Sequence, residues 1–313
     1  MPNTFTTDNM AVNNSIALAA KYLPIVDEVY KTTSRSAILD TPADLQKWIS
    51  ASTVQLYEVS VDGAGDYDRN KGYPVGNETS GWKDYTITQD RGRGHMIDYL
   101  DDEEALGMPV TTTFATIERE KVAPELDAYR FAKIASTTGV TTGTPADLTS
   151  SSDLPGLISE GEYNLDEDEV PYENRILFIS ESGFRYLRDQ VTRTVANDDT
   201  GISHEILTYD GMRVVRVPQN RFNTAITLYD GVTSGQEAGG YVVTAGGYPI
   251  NFMIVHPSAI MQVVKRYNFR MFAPGVTQVA DGYLLQYRFA HDVFVKHKKV
   301  KGVYVHRGST ANP

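Results

Sequence analysis

The apolar positions of this 313-residue chain change period several times. From Thr53 to Val61, Val54, Leu56, Val59 and Val61 stand in a β-rich run that predicts a strand. From Trp82 to Asp98, Trp82, Tyr85, Ile87, Met96 and Ile97 with interleaved Thr predict a return strand. Residues 62–77 between them are dense in Gly, Asp, Asn and Pro, the residues of turns. The whole reads as a long two-stranded hairpin with a polar tip. Two strands cannot build a core, so this ribbon needs a partner surface, and a neighbouring subunit is one candidate.

The period then becomes helical. Phe114, Ile117, Val122, Leu126, Tyr129, Phe131 and Ile134 share one face of a helix over residues 111–136. Pro124 predicts a kink within it, and Gly139 in the run Thr137–Thr144 ends it. Residues 1–50 predict an arm of short helices: Ile16–Tyr22, Ile25–Thr32 and a third opened by Thr41 and Pro42. Such an arm has little core of its own.

Residues 137–258 alternate short strands and helices. Strands are predicted at Arg175–Ser180, Met212–Val217 and Ile250–Val255. Ser180 or Ser182 caps a helix to about Gln190, and Pro257 opens another to about Val264. Gly143–Gly156 and Gly231–Gly247 read as exposed loops. Long strands follow at Lys265–Phe272 and Tyr283–Val295, and a last one at Val300–His306. The fold class is α+β, with an α/β body around a mixed sheet. No internal repeat is visible.

Composition narrows the function. There is no cysteine, which excludes disulfides, Cys-ligated metals and a thiol nucleophile. The 29 basic and 40 acidic residues give a net charge of −11, so nucleic-acid binding across the whole surface is not expected. No segment has the pattern of a signal peptide or a membrane helix, and a cytoplasmic chain is the default expectation.

Candidate chemistry is sparse. Asp66, Asp68 and Asn70 resemble the start of a calcium loop, but Lys71 and Asn77 stand where Gly and Glu are needed. A solvated hairpin tip is the favoured reading. The acidic runs Asp101–Glu104 and Asp166–Glu169 read as solvated turns or helix N-termini. His291, His297 and His306 fall on strand-like patterns without a close ligand pair. Arg91-Gly92-Arg93-Gly94 lies in the hairpin's return strand, where inter-subunit salt bridges are favoured over RNA contact. Arg288–Arg307 holds six basic residues and only Asp292 against them, a face for packaged nucleic acid, for an acidic neighbour, or an edge strand blunted by Lys. No dinucleotide, phosphate-loop or nucleophile-elbow motif is present.

Several segments together resemble the major capsid proteins of tailed double-stranded-DNA bacteriophages, with the Hong Kong 97 bacteriophage capsid fold. They are Lys21–Lys31, Asp62–Tyr67, Asp90–Arg93, Val122–Lys133, Asp166–Pro171, Val217–Phe222 and Ile250–His256. The similarity spans nearly the whole chain, and its specificity lies in the order of the motifs. It implies an N-terminal arm at residues 1–50 and an extended loop at 51–99 lying over a neighbouring subunit. It implies a peripheral domain from 100–136 and 265–297, with a spine helix at 111–136. It implies an axial domain from 137–264 and 298–313.

The resemblance further implies self-assembly as hexamers and pentamers into an icosahedral shell around double-stranded DNA. The partners expected are the chain itself, a portal, a separate scaffolding protein and weakly held packaged DNA, with no cofactor and no catalytic residue. The location expected is the virion capsid, assembled in the host cytoplasm. Tyr67, Tyr73, Trp82, Arg91 and Arg93 are the candidate inter-subunit anchors, because aromatics and Arg dominate interface cores. Lys71 and Lys83 are candidates for cross-links between subunits, although no buried Glu or partner Asn is identified for them. An encapsulin-like nanocompartment shell is the alternative with the same fold. A metal-dependent hydrolase using the acidic runs is the alternative from another class.

Overall fold

The computed structural model describes residues 34–42, 47–50, 52–63, 65–70, 72, 78–99, 116–149, 153–190, 208–275 and 281–313. The arm helices expected at Ile16–Tyr22 and Ile25–Thr32, and the acidic run Asp101–Glu104, lie outside them.

At the centre is a six-stranded mixed sheet in the order β5-β14-β11-β6-β8-β7. Its strands are β5 (Thr141–Thr142), β6 (Ile176–Ser180), β7 (Thr208–Tyr209), β8 (Met212–Val217), β11 (Ile250–Val255) and β14 (Val303–Arg307). The β6–β8 and β5–β14 pairs are parallel, and the rest are antiparallel. Both faces of its central strands are buried, which is why Ile176–Ile179 and Phe252–Val255 are continuous apolar runs.

Alternation splits these side chains between two cores. Ile176, Phe178, Met253, Val255, Val303 and Val305 face helix α1 (Ala123–Ala135). There Phe131 meets Phe178 and Phe222 edge-on, with centroids 5.1 Å apart in each pair. Leu177, Ile179, Phe252, Ile254 and Tyr304 face α2 (Asp153–Glu167) and α3 (Glu181–Gln190). Gly161 lets α2 sit against the sheet, since a Cβ there would come within 2.8 Å of the Tyr304 ring. Ser180 Oγ accepts the Gly183 N–H at 3.1 Å and so caps α3, as its sequence predicts.

A second sheet has three antiparallel strands in the order β12-β13-β4: β4 (Gln89–Asp98), β12 (Ile260–Phe272) and β13 (Gly282–Val295). A third contains β1 (Lys47–Trp48), β2 (Thr53–Val61) and β3 (Glu78–Thr86). A small ribbon pairs β9 (Ile226–Leu228) with β10 (Tyr241–Val243).

Several expectations are corrected. Trp82–Asp98 is not one strand. The chain breaks at Ile87–Thr88, so β3 pairs with β2 while β4 joins β13 in the other sheet. Buried Ile87, packed with Val54, Met261 and Val263, makes the corner. Pro124 stands at the second position of α1. The helix reaches back through a widened π turn at Glu118–Val122, where the Ala123 N–H donates to the Glu118 carbonyl. Residues 111–115 lie outside the described residues.

Pro257 opens only a short 3-10 turn, Pro257–Ala259, before β12 starts at Ile260. Five residues were too few to separate a buried strand from a helix by period. Lys47–Trp48 is a strand, and residues 43–46 of the helix expected to open at Pro42 lie outside the described residues. Asp153–Gly156 belongs to α2 rather than to a loop, and Gly231–Gly247 contains β10. The run Asp166–Glu169 spans the last two residues of α2 and the turn after it, not a helix start. The last strand begins at Val303, after 3-10 turns at His297–Gly302.

Candidate assembly surface

Two buried carboxylates root the segments that leave the core. Asp127 on α1 is fully buried. It accepts from Ser34 Oγ (2.7 Å), Ser36 Oγ (2.7 Å) and the backbone N–H groups of Arg35 (2.9 Å) and Ser36 (3.0 Å). Arg221 completes the set at 3.3 Å. Arg130, also fully buried, donates to Ser36 Oγ at 3.0 Å and pairs with Asp40 at 3.2 Å. The chain is thus fixed on the core at residues 34–40.

Asp292 on β13 is the second root. It accepts from the Thr88 N–H (2.9 Å), Thr88 Oγ1 (2.9 Å), Tyr129 hydroxyl (3.0 Å) and Val293 N–H (2.7 Å), and forms an ion pair with Lys133. Thr88 lies at the break between β3 and β4, so the base of the β2–β3 hairpin is clamped to the core. Neither root was singled out in the sequence. Asp127 was one polar position inside a helical pattern, and its partners are about 90 residues away in either direction.

Away from Thr88, the described side chains of the hairpin at 65–70 and 81–84 are exposed. Trp82 is 49% exposed and Tyr67, near the tip, 58% exposed. The Lys47 ammonium stands 3.8 Å over the Trp82 ring, and Lys83 is exposed. At the tip Asp68 and Gly72 exchange backbone hydrogen bonds, and Asp68 Oδ1 accepts the Asn70 N–H at 2.6 Å. Asp68 therefore makes a local turn. Tyr73 and Lys71 lie outside the described residues.

Arg91 and Arg93 stand elsewhere than the sequence reading put them. They lie on β4, in the three-stranded sheet. Arg91 forms an ion pair with Glu125 and donates to the carbonyls of Tyr229 (2.9 Å) and Gly240 (3.3 Å). Arg93 donates to the carbonyls of Ala238 and Glu237, both at 2.8 Å. Both guanidinium groups thus bridge β4 to the 229–240 loop of the same chain. They border a groove of about 890 Å³ that also touches Tyr241, Tyr287 and Phe289. Burial pushes the Glu125 carboxyl up, against the pull of Arg91.

Among the described residues, the groups considered for catalysis are dispersed or internally paired. Asp166 pairs with Arg175 at 2.6 Å and Asp168 with Lys301 at 3.3 Å. Glu162 is pushed up to about 7, first by burial and then by the Asp210 carboxylate beside it. His291 is buried among Tyr129 and Phe289, and burial followed by Arg130 holds its pKa well below the ordinary value. His306 shares a 3.1 Å hydrogen bond with Asn251, and His297 sits in a 3-10 turn rather than a strand. Among the described residues no three metal-ligating side chains converge.

No protein-family model matches this sequence. No curated protein matches it either. Solved structures do. The asymmetric unit of the bacteriophage PhiM1 mature capsid aligns over 100% of this chain and 92% of that one, at 10% identity and a TM-score of 0.61. A Mycobacterium phage Che8 structure aligns over 82% and 84%, at 17% identity and a TM-score of 0.54. A virus-like particle from Pyrococcus furiosus aligns over 94% and 100%, at 10% identity and a TM-score of 0.53. The class these define is a fold: the chain has the Hong Kong 97 type capsid fold, across essentially its whole length.

Proposed function

We propose that this chain is the major capsid protein of a tailed bacteriophage. Copies assemble as hexamers and pentamers into an icosahedral shell that encloses double-stranded DNA. The observation that carries this reading is the end-to-end correspondence with the PhiM1 mature capsid subunit. The anatomy supports it. The hairpin and the segment before residue 41 are held to the core at their roots by buried carboxylates, while Trp82 and Tyr67 remain exposed further out. Such surfaces are covered when many copies pack together.

In this reading the β2–β3 hairpin is the extended loop and residues 1–50 the arm. The three-stranded sheet with α1 forms the peripheral domain, and the six-stranded sheet with α2 and α3 the axial domain. Trp82 and Tyr67 are the inter-subunit anchors, with Tyr73 beside them in sequence. A portal, a scaffolding protein and packaged DNA are the further partners. The likeness to the Pyrococcus furiosus particle favours a second reading, a shell of the same fold with different contents.

The test is negative-stain electron microscopy of the purified full chain with light scattering, repeated with its scaffolding protein co-expressed. Closed shells or capsomer-sized rings are expected. A chain that remains monomeric under both conditions overturns the capsid reading. Nucleic acid or protein recovered inside the shells separates the two readings.

A further inference from the structure

The 3-10 turn between β13 and β14 concentrates positive charge in an acidic protein. Lys296, Lys298, Lys299 and Lys301 fall within six residues. Lys298, Lys299, Lys301 and His297 are exposed and Lys296 is half-buried. The turn is rigidly mounted. Lys296 N–H donates to the Ala259 carbonyl at 2.8 Å, Lys299 N–H to the Lys296 carbonyl at 2.9 Å, and His256 N–H to the Gly302 carbonyl at 2.8 Å. Val300 packs on the main core. Gly302 presses so closely on Ala259 that a Cβ there would lie 2.8 Å from the alanine methyl.

The charge is only partly compensated from within. Lys301 pairs with Asp168 at 3.3 Å. Among the described residues, Lys296, Lys298 and Lys299 have no carboxylate at ion-pair distance. Burial, and then the neighbouring Lys299, lower the proton affinity of Lys296. Burial and then Lys299 also lower that of His256. Like charges held together this way are relieved by a polyanion.

The geometry points to the Lys296–Lys301 turn as the contact that this subunit makes with the phosphate backbone of double-stranded DNA. This rests on the capsid reading and adds to it the surface that faces the contents. The composition of the turn selects the ligand. Its exposed side chains are Lys and His, with no Arg and no aromatic. Protein–protein interface cores are depleted in Lys and enriched in aromatics and Arg. Phosphate neutralisation needs only mobile point charges at the surface.

The experiment measures binding of short random-sequence duplex DNA to the full-length, unassembled protein by fluorescence anisotropy over a salt series. Each phosphate contact contributes about 0.9 to the slope of log affinity against log salt. The double variant Lys298→Ala/Lys299→Ala is expected to bind more weakly and to flatten that slope by about 1.8. Arg188→Ala, an exposed charge on α3, is expected to leave it unchanged. An unchanged slope in the lysine variant overturns the proposal, as does a wild-type chain that does not bind duplex DNA. So does a lysine variant that loses shell formation while its slope stays normal, since the turn would then be a contact between copies. Microscopy of wild-type shells tests the capsid reading separately.

Discussion

Asp127 reaches the interior as a carboxylate because five donors converge on it, four of them from Ser34–Ser36. A buried charge without partners would be strongly unfavourable, so the side chain and the segment it holds specify each other. Replacing Asp127 with Ala removes the acceptor and leaves Arg221 and the Ser34–Ser36 donors without it. A loss of about 3–5 kcal/mol is expected, read from the midpoint of urea unfolding. The same replacement should release the segment before residue 41 to proteolysis. Stability equal to wild type would show that water satisfies these groups instead.

At the scale of elements, α2 meets the β7–β8 turn through a pair of acids. Glu162 is pushed up to about 7 by burial, then by Asp210; Arg175 pulls it back and Asp166 adds to the rise. A raised carboxyl holds its proton more tightly folded than unfolded. Its contribution is therefore fully present below the unfolded pKa, near 4.5, and is lost as pH rises to about 7. Glu162→Gln is expected to be more stable than wild type at pH 8, by about 1 kcal/mol, since the half-exposed site is screened by solvent. At pH 4 the difference should vanish. A gain of equal size at both pH values, in paired thermal or urea melts, would mean that packing rather than ionisation is responsible.

The β3–β4 corner belongs to this scale too. Read along the chain, Trp82–Asp98 is an unbroken β-rich stretch. In space Ile87 turns inward and Thr88 binds Asp292, so the stretch serves two sheets. Arg91 and Arg93 go with β4, where they hold the 229–240 loop of their own chain.

For the whole molecule, the exposed aromatic at the middle of β3 is the sensitive point. Trp82→Ala removes little from the folded chain, because the ring is about half in solvent. It removes a large rigid contact from any surface that packs on the hairpin. Unchanged circular dichroism with impaired shell formation is therefore expected. Normal shells from this variant would take Trp82 out of the interface.

The sequence by itself determined the strands that are buried on both faces, the α3 cap and the apolar face of α1, because those depend on local period and local hydrogen bonds. The order of its motifs was also enough to bring the capsid fold into view. Tertiary structure decided what local pattern leaves open. Ile260–Val264, four apolar residues and Gln262, became strand because β13 offers a ladder for them. Pro124 came to stand just after a π turn, at the second position of α1. Asp127 and Asp292 became anchors only once Ser34–Ser36 and Thr88, far away in the chain, were brought to them. Side-chain period is a property of neighbours in sequence, whereas the partner of a buried charge is a property of neighbours in space.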